Sequence, residues 1–309
     1  MRKGAGRIYF CTAICAGRRF YQLLQPGLKG REVGRQRLNL SVHSVFRRVL
    51  NLCREEGLFS LVRRGTGNAP GFLVIDLPEN INFITLGLRR GMPVSLEGEW
   101  LLVGEVLAVD CRRLRLWPGQ ARTALTWKRE NLPRNNLQAL HAAIWRWGVR
   151  GGMKDIISHP GGHPLAASLS CLARGLCYGR AGDLATAMTG ILGYGPGLTP
   201  AGDDLVVGLL AAAGTGVEYQ VCLPGLHRAI ISNLNRTTTV SAHILRQAMA
   251  GDYHEYLQEV LHAVTRGVPE KVTVAARSLL GLGATSGTDM ATGLYLAFTW
   301  QLENKLGNR

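Results

Sequence analysis

The sequence predicts an α+β fold in which a small β-rich domain, built like a barrel or a sandwich, precedes an all-helical domain. Short apolar segments separated by Gly, Pro and Asn fill residues 38–127, which is typical of strands. From residue 136 onward, apolar residues recur every three or four positions, which is typical of helices. The charged segment 128–135 contains Pro133 and is predicted to link the two. We therefore divide the chain into 1–37, 38–130 and 131–309.

Within the β-rich domain, alternating or continuous apolar runs predict the individual strands. One helix is predicted to interrupt them at 43–56, because Val45, Val49, Leu52 and Cys53 fall at helical spacing. The predicted strands cover residues 37–42, 72–77, 83–86, 94–96, 101–109 and 114–117.

In the helical domain, Gly and Pro separate most of the apolar-periodic runs and so mark where the helices end. The predicted helices cover residues 136–149, 165–177, 183–192, 204–213, 226–235, 240–250, 254–265, 270–280 and 289–304.

Residues 1–37 are predicted to be a basic extension. A basic start followed by the apolar run 8–16 is similar to a weak secretory signal, but Arg18 and Arg19 follow at once and the cleavage pattern is poor. The alternative is a first strand or helix. No apolar run is long enough to predict a membrane-spanning helix. The seven cysteines are odd in number and form no C-x-x-C pair, which favours reduced thiols and a cytoplasmic location.

The net charge of +15 lies in the first half of the chain. Residues 1–150 hold 25 Lys/Arg and 10 Asp/Glu, whereas residues 151–309 hold 11 of each. Nucleic-acid binding is not favoured, because it would rest on charge alone and the arginines are scattered as pairs. Docking of an acidic partner subunit and steering of anionic substrates are the alternatives.

Two glycine-rich segments predict the functional site. The first, GYGPGLTPAGDD at 193–204, contains too many glycines and prolines to be helical and precedes an apolar helix. The second, GATSGTDMATG at 283–293, repeats its features: Gly202, Asp204 and Gly208 recur as Gly287, Asp289 and Gly293, each 85 positions later. Aspartate and glycine four residues apart share one helix face, so the glycine would let a backbone or a ligand pass beside the aspartate.

Free N–H groups at such helix starts bind phosphate or carboxylate oxygens. A third start, with three consecutive threonines from Thr237, is read equally as ordinary capping or as part of the same pocket with Arg236 as anion anchor. The candidate catalytic residues are Asp203, Asp204 and Asp289, which would also be the ligands if Mg²⁺ is the cofactor. The candidate substrate-binding residues are Gly195, Gly197, Thr199, Gly202, Arg236, Thr238, Ser241, Ser286, Gly287 and Thr288.

These two runs, with the stretch SVFRRVLNL that begins at Ser41, resemble the AllH family. The resemblance covers about residues 38–302 and implies a subunit of oxamate carbamoyltransferase. That enzyme acts in anaerobic allantoin and purine degradation, where oxalurate and phosphate give oxamate and carbamoyl phosphate. The resemblance also implies a hetero-oligomer that includes an acyl-CoA-synthetase-like subunit.

Two other functions are compatible with the same residues. A non-catalytic regulatory or scaffold subunit would use the pocket to sense an anionic metabolite. A Mg²⁺-dependent hydrolase of a phosphorylated or ribosylated small molecule would use the aspartates as metal ligands.

Overall fold

The computed structural model of the chain describes residues 8–29, 35–54, 57–120 and 125–303. Two compact units are present, Met1–Gly119 and Gln120–Arg309. The first is built of strands and the second of helices, so the predicted α+β class is confirmed. No helix within the described ranges is long and apolar enough to cross a membrane.

The first unit is a closed sheet. Its strands are β1 (Tyr9–Gly17), β2 (Arg35–Val45), β3 (Val49–Arg54), β4 (Gly57–Arg63), β5 (Phe72–Asp76), β6 (Pro93–Glu97), β7 (Trp100–Val103), β8 (Leu107–Asp110) and β9 (Arg115–Trp117). The sheet order is β5-β4-β3-β2-β6-β7-β8-β1, and β1 also pairs with β5 in antiparallel fashion, which closes eight strands into a barrel. The last strand, β9, pairs in parallel with the end of β1.

The predicted helix at 43–56 is wrong for its described part, because residues 43–54 form the end of β2, a tight turn and β3; residues 55 and 56 lie outside the described residues. Leu50 and Leu52 lie two residues apart in the barrel core and face Leu61 and Phe59 of β4. Strand pairing therefore buries these leucines, and their approximate helical spacing is incidental. The strand β4 has no counterpart among the predicted strands.

Two further strand predictions need correction. Residues 83–86 form a 3₁₀ turn, because the side chain of Asn82 accepts the N–H groups of Ile84 and Thr85 and so caps a helical turn. Residues 101–109 form a hairpin of β7 and β8 rather than one strand. Gly104, with φ +55°, supplies the left-handed backbone conformation that the turn of the hairpin requires.

The prediction that residues 1–37 form an extension is also wrong for their described part. The strand β1 closes the barrel, and helix α1 (Arg18–Lys29) places Phe20 and Leu24 in its core. Gly17 joins the two elements, and a Cβ there would lie 2.0 Å from the carbonyl oxygen of Ala69. The apolar run 8–16 is therefore a barrel strand.

The second unit contains a helix for each of the nine predictions and one short helix, Asp155–Ser158, that was not predicted. Its central helix, Ala201–Thr215, is buried along its whole length and packs along the last helix, Ser286–Glu303. The predicted linker 128–135 belongs to this unit, since Trp127 donates its indole N–H to the Ala212 carbonyl. The helices are α2 (Arg134–Trp147), α3 (Asp155–Ser158), α4 (Ala166–Tyr178), α5 (Ala181–Ile191), α6 (Ala201–Thr215), α7 (Leu223–Ile231), α8 (Thr239–Met249), α9 (Glu255–Arg266), α10 (Pro269–Leu280) and α11 (Ser286–Glu303).

Candidate functional site

The starts of α6 and α11 are related by a reciprocal contact. A Cβ on Gly208 would lie 1.8 Å from the carbonyl oxygen of Met290, and a Cβ on Gly293 would lie 1.9 Å from that of Leu205. Met290 follows Asp289, and Leu205 follows Asp204. Each glycine thus admits the backbone that follows the other helix's aspartate, and the repeat in sequence corresponds to a repeat in packing.

The first glycine of each copy has an equivalent role. A Cβ on Gly202 would lie 2.1 Å from the carbonyl oxygen of Ile191 at the end of α5. A Cβ on Gly287 would lie 1.8 Å from that of Leu279 in the last turn of α10. Each helix start therefore packs directly on the end of the preceding helix, which fixes where the following aspartate lies.

Asp203 is bound within the protein. Its Oδ1 accepts the N–H of Gly193 at 2.8 Å, and its Oδ2 accepts the hydroxyl of Thr237. The side chain is fully buried. Both oxygens are thus used to hold the glycine-rich loop against the residues that precede α8.

Asp204 lies beside the second copy of the motif. The hydroxyls of Thr199 and Ser286 are 3.2 Å apart and lie at the carboxyl group of Asp204. The residue is 1% exposed, and among the described residues its Oδ2 has no hydrogen-bond partner. Burial raises the pKa of Asp204 to about 8, while the two hydroxyls oppose the rise and the charge of Asp289 adds to it.

Asp289 lies under a backbone segment that the sequence did not predict to be part of the site. Its Oδ1 accepts the N–H of Met153 at 2.5 Å, and a Cβ on Gly152 would lie 2.4 Å from this oxygen. Its Oδ2 is buried and, within the described ranges, has no partner. Burial raises the pKa of Asp289 to about 6, against the lowering effect of the Met153 N–H and the Thr285 hydroxyl.

The pKa values of both carboxyl groups are raised by burial, that of Asp204 more than that of Asp289. Two neighbouring carboxyl groups with different pKa values are suited to general acid–base chemistry, in which one donates a proton and the other accepts one. Each Oδ2 that lacks a partner costs about 1–3 kcal/mol when buried. A ligand with N–H or O–H groups would remove this cost.

The three aspartates do not combine into a metal centre. The described residues contain no group of three or more His, Cys, Asp or Glu side chains that could hold a metal ion. Since both oxygens of Asp203 are engaged, at most Asp204 and Asp289 offer free carboxyl oxygens. The predicted Mg²⁺ ligand set therefore does not fit as a set of three.

The third helix start shows the geometry of ordinary capping. The Oγ1 of Thr238 accepts the N–H of Ser241 at 3.0 Å and donates to the carbonyl of Leu198, so it also ties down the glycine-rich loop. Ser241 is buried, whereas Arg236 is exposed and its carbonyl lies against Gly193.

The remaining predicted binding residues divide between loop and site. Gly195 and Gly197 are exposed, with φ of +106° and +98°, and shape the loop. The Oγ1 of Thr288 accepts the N–H of Val149 at 3.0 Å. The structure therefore brings together Thr199, Asp204, Ser286 and Asp289, with Thr288 engaged by the segment around Met153.

Comparisons with known proteins cover most of the chain. A family model described as "AllH family N-terminal domain" matches residues 12–116, and one described as "Oxamate carbamoyltransferase subunit AllH" matches residues 191–298. The second range contains Asp204, Asp289 and both glycine-rich segments. No solved structure matches the chain.

Proposed function

Because the chain belongs to the AllH family, we propose that it carries the carbamoyl-binding site of an oxamate carbamoyltransferase. The reaction would convert oxalurate and phosphate into oxamate and carbamoyl phosphate, in anaerobic allantoin degradation. One observation supports this most directly: Asp204 and Asp289 are both buried, and each has a carboxyl oxygen that no group in the described part of the chain hydrogen-bonds.

Recognition would start from the carbamoyl NH₂ group, which has two N–H donors and no charge. The unpartnered oxygen of the ionised Asp289 would accept one of these donors, and the protonated Asp204 would donate to the carbamoyl oxygen. Two ionised carboxylates would repel an anionic substrate. A protonated Asp204 removes one of these charges, so the pair accepts a carbamoyl group that is joined to an anion.

The reaction requires one proton to move. A phosphate oxygen forms a bond to the carbamoyl carbon while the bond from that carbon to the oxamate nitrogen breaks. The phosphate loses its hydroxyl proton, and the leaving nitrogen gains one. We assign Asp289 as the base that takes the first proton and Asp204 as the acid that supplies the second. The proton then passes from Asp289 to Asp204, so no net proton is consumed.

Replacing either carboxyl group with an amide should abolish this proton transfer. In Asp204→Asn and Asp289→Asn, we expect kcat for phosphate-dependent release of oxamate from oxalurate to fall by about 10²- to 10⁴-fold. The assay uses the chain with its co-purified partner subunits. The matched control is Asp183→Asn, which removes a partly exposed carboxylate that pairs with Arg174. Full activity in both site variants would contradict the proposal.

The pH dependence of kcat/KM should report the same pair. Activity requires an ionised Asp289, so it should rise as the pH passes upward through about 6. It also requires a protonated Asp204, so it should fall as the pH passes upward through about 8. Because the groups interact, the two limbs belong to the pair. A profile that is flat from pH 5 to 9, measured with the same assembly, would exclude this assignment.

A further inference from the structure

The segment Gly148–Lys154, which joins α2 to α3, crosses the start of α11. The N–H of Val149 donates to Thr288 Oγ1 at 3.0 Å, and the N–H of Met153 donates to Asp289 Oδ1 at 2.5 Å. These acceptors belong to consecutive residues of the first turn of α11. The segment is therefore bound to the first turn of α11 on both sides of Arg150.

Glycines allow this close approach. A Cβ on Gly152 would overlap the carboxyl group of Asp289, and a Cβ on Gly148 would lie 3.2 Å from Thr288 Cγ2. Gly151 turns the chain with φ +86°. The backbone of Gly148–Lys154, rather than side chains, therefore contacts the start of α11. These backbone contacts also fix where the Cα atom of Arg150 lies.

The two cations of the segment are used differently. The ammonium group of Lys154 donates to the carbonyls of Trp145 at 2.8 Å and Gly148 at 3.0 Å, so it holds the segment closed. Arg150 is exposed. None of the ion pairs or side-chain hydrogen bonds found in the described part of the chain involves it. Its guanidinium is therefore available to a ligand.

We propose that Arg150 binds the anionic end of the substrate at this site, an inference that rests on the proposed function. Asp204 and Asp289 would together bind only the uncharged amide end of a carbamoyl compound. Every reactant of the proposed reaction also carries an oxyanion, either a carboxylate or a phosphate. A guanidinium binds either through two parallel hydrogen bonds, and the segment that carries Arg150 is bound to Thr288 and Asp289.

Kinetics of Arg150→Gln in the assembled enzyme test this role. We expect KM to rise about 10- to 100-fold for the reactant whose oxyanion Arg150 binds, with a much smaller change in kcat. A rise for oxalurate assigns the carboxylate, and a rise for phosphate assigns the phosphoryl oxygens. Arg150→Lys should recover part of the loss, because it retains the charge but not the paired geometry.

The matched control is Arg146→Gln, which removes the same charge from an exposed arginine that stacks on the ring of Trp147. It should leave both KM values within about twofold of the wild type, since charge alone is a weak, screened effect at the surface. Equal losses in the two variants, or unchanged KM values in Arg150→Gln, would overturn the assignment of Arg150.

A ligand-binding measurement on the full chain tests the role of Arg150 independently of the proposed reaction. Inorganic phosphate and oxamate are added separately to the full chain at equal ionic strength, and Tm is compared between the wild type and Arg150→Gln. Stabilisation that is lost in the variant supports Arg150 even if the assembly shows no carbamoyl transfer. If neither anion stabilises the wild type and the assembly is inactive, the inference fails together with the function.

Discussion

Three buried aspartates of this chain have different roles because different groups surround them. Asp203 accepts hydrogen bonds at both oxygens, which accounts for its burial as a structural residue. Asp204 and Asp289 each keep an oxygen that no described residue hydrogen-bonds, and burial raises the pKa of both. An unsatisfied buried carboxyl group destabilises the native protein, and active sites are where such a cost is retained.

The raised pKa of Asp204 makes a prediction about stability. Its pKa lies above the ordinary value of 3.8, so the native state binds a proton that the unfolded state releases. The stabilisation is complete below pH 3.8 and is lost as the pH rises through about 8. Between pH 5 and 8, the wild type should lose about 4 kcal/mol of unfolding free energy through this group. The unfolding free energy of Asp204→Asn should not show this decrease, because an amide does not titrate.

Urea unfolding of the wild type and Asp204→Asn at pH 5, 6.5 and 8 measures the difference. We expect the variant to gain on the wild type at each step, and to be the more stable protein at pH 8. Parallel stability curves would mean that Asp204 is ionised throughout this range and would also remove the acid from the proposed mechanism.

The sequence predicted the aspartates but could not assign their roles. Asp203 and Asp204 are neighbours in one motif, and which of them bonds the loop depends on Thr237, a residue 34 positions from Asp203. Met153 contributes only a backbone N–H to Asp289, and any residue type provides one. Neither contact produces a pattern in the sequence. Ser286 and Thr199, by contrast, lie within the two glycine-rich segments from which the site was predicted.

At the scale of elements, helices and strands were predicted correctly from the sequence where the apolar periodicity extended over a long segment. Long apolar-periodic runs ended by Gly or Pro identified each of the nine predicted helices. Short apolar runs fit helix and strand alike, so the segment that forms β3 was assigned to a helix and β4 was missed. The closure of β1 on β5 joins residues about 60 positions apart, and no local pattern encodes such a pairing.

The contact between α6 and α11 makes a prediction at this scale. Gly208→Ala would place a methyl group 1.8 Å from the Met290 carbonyl oxygen, so the helices must separate. We expect a loss of about 3 kcal/mol or more in unfolding free energy, since overpacking of a rigid core has this cost. Movement of α11 should also displace Asp289 and lower activity.

Gly182→Ala is the matched control, because nothing lies within 4 Å of its Cβ position in α5. It should be neutral or stabilise the protein by up to about 1 kcal/mol through reduced backbone entropy. If Gly208→Ala unfolds at the same urea concentration as Gly182→Ala, the close approach of the two helices is not present in solution.

At the scale of the whole molecule, the family match includes both copies of the repeat but not the segment that crosses the second copy. The matched ranges 12–116 and 191–298 cover the barrel and both glycine-rich segments, but Gly148–Lys154 lies between them. The candidate site therefore contains two repeated helix starts that lie within the matched ranges and one segment, Gly148–Lys154, that lies outside them. The family's description as a subunit implies further chains in the assembly.

Charge distinguishes the two units and leads to a prediction about that assembly. Residues 1–119 hold 19 Lys/Arg and 9 Asp/Glu, against 17 and 12 in residues 120–309. If the basic unit docks an acidic subunit, the association rate should fall about tenfold or more between 0.05 and 0.5 M salt, since ions screen the attraction. Arg89→Gln with Arg90→Gln should slow association more than Arg180→Gln with Arg246→Gln, a pair of exposed arginines in the helical unit. Equal rates at both salt concentrations would show that apolar contacts drive assembly and would leave the excess charge to attract anionic substrates.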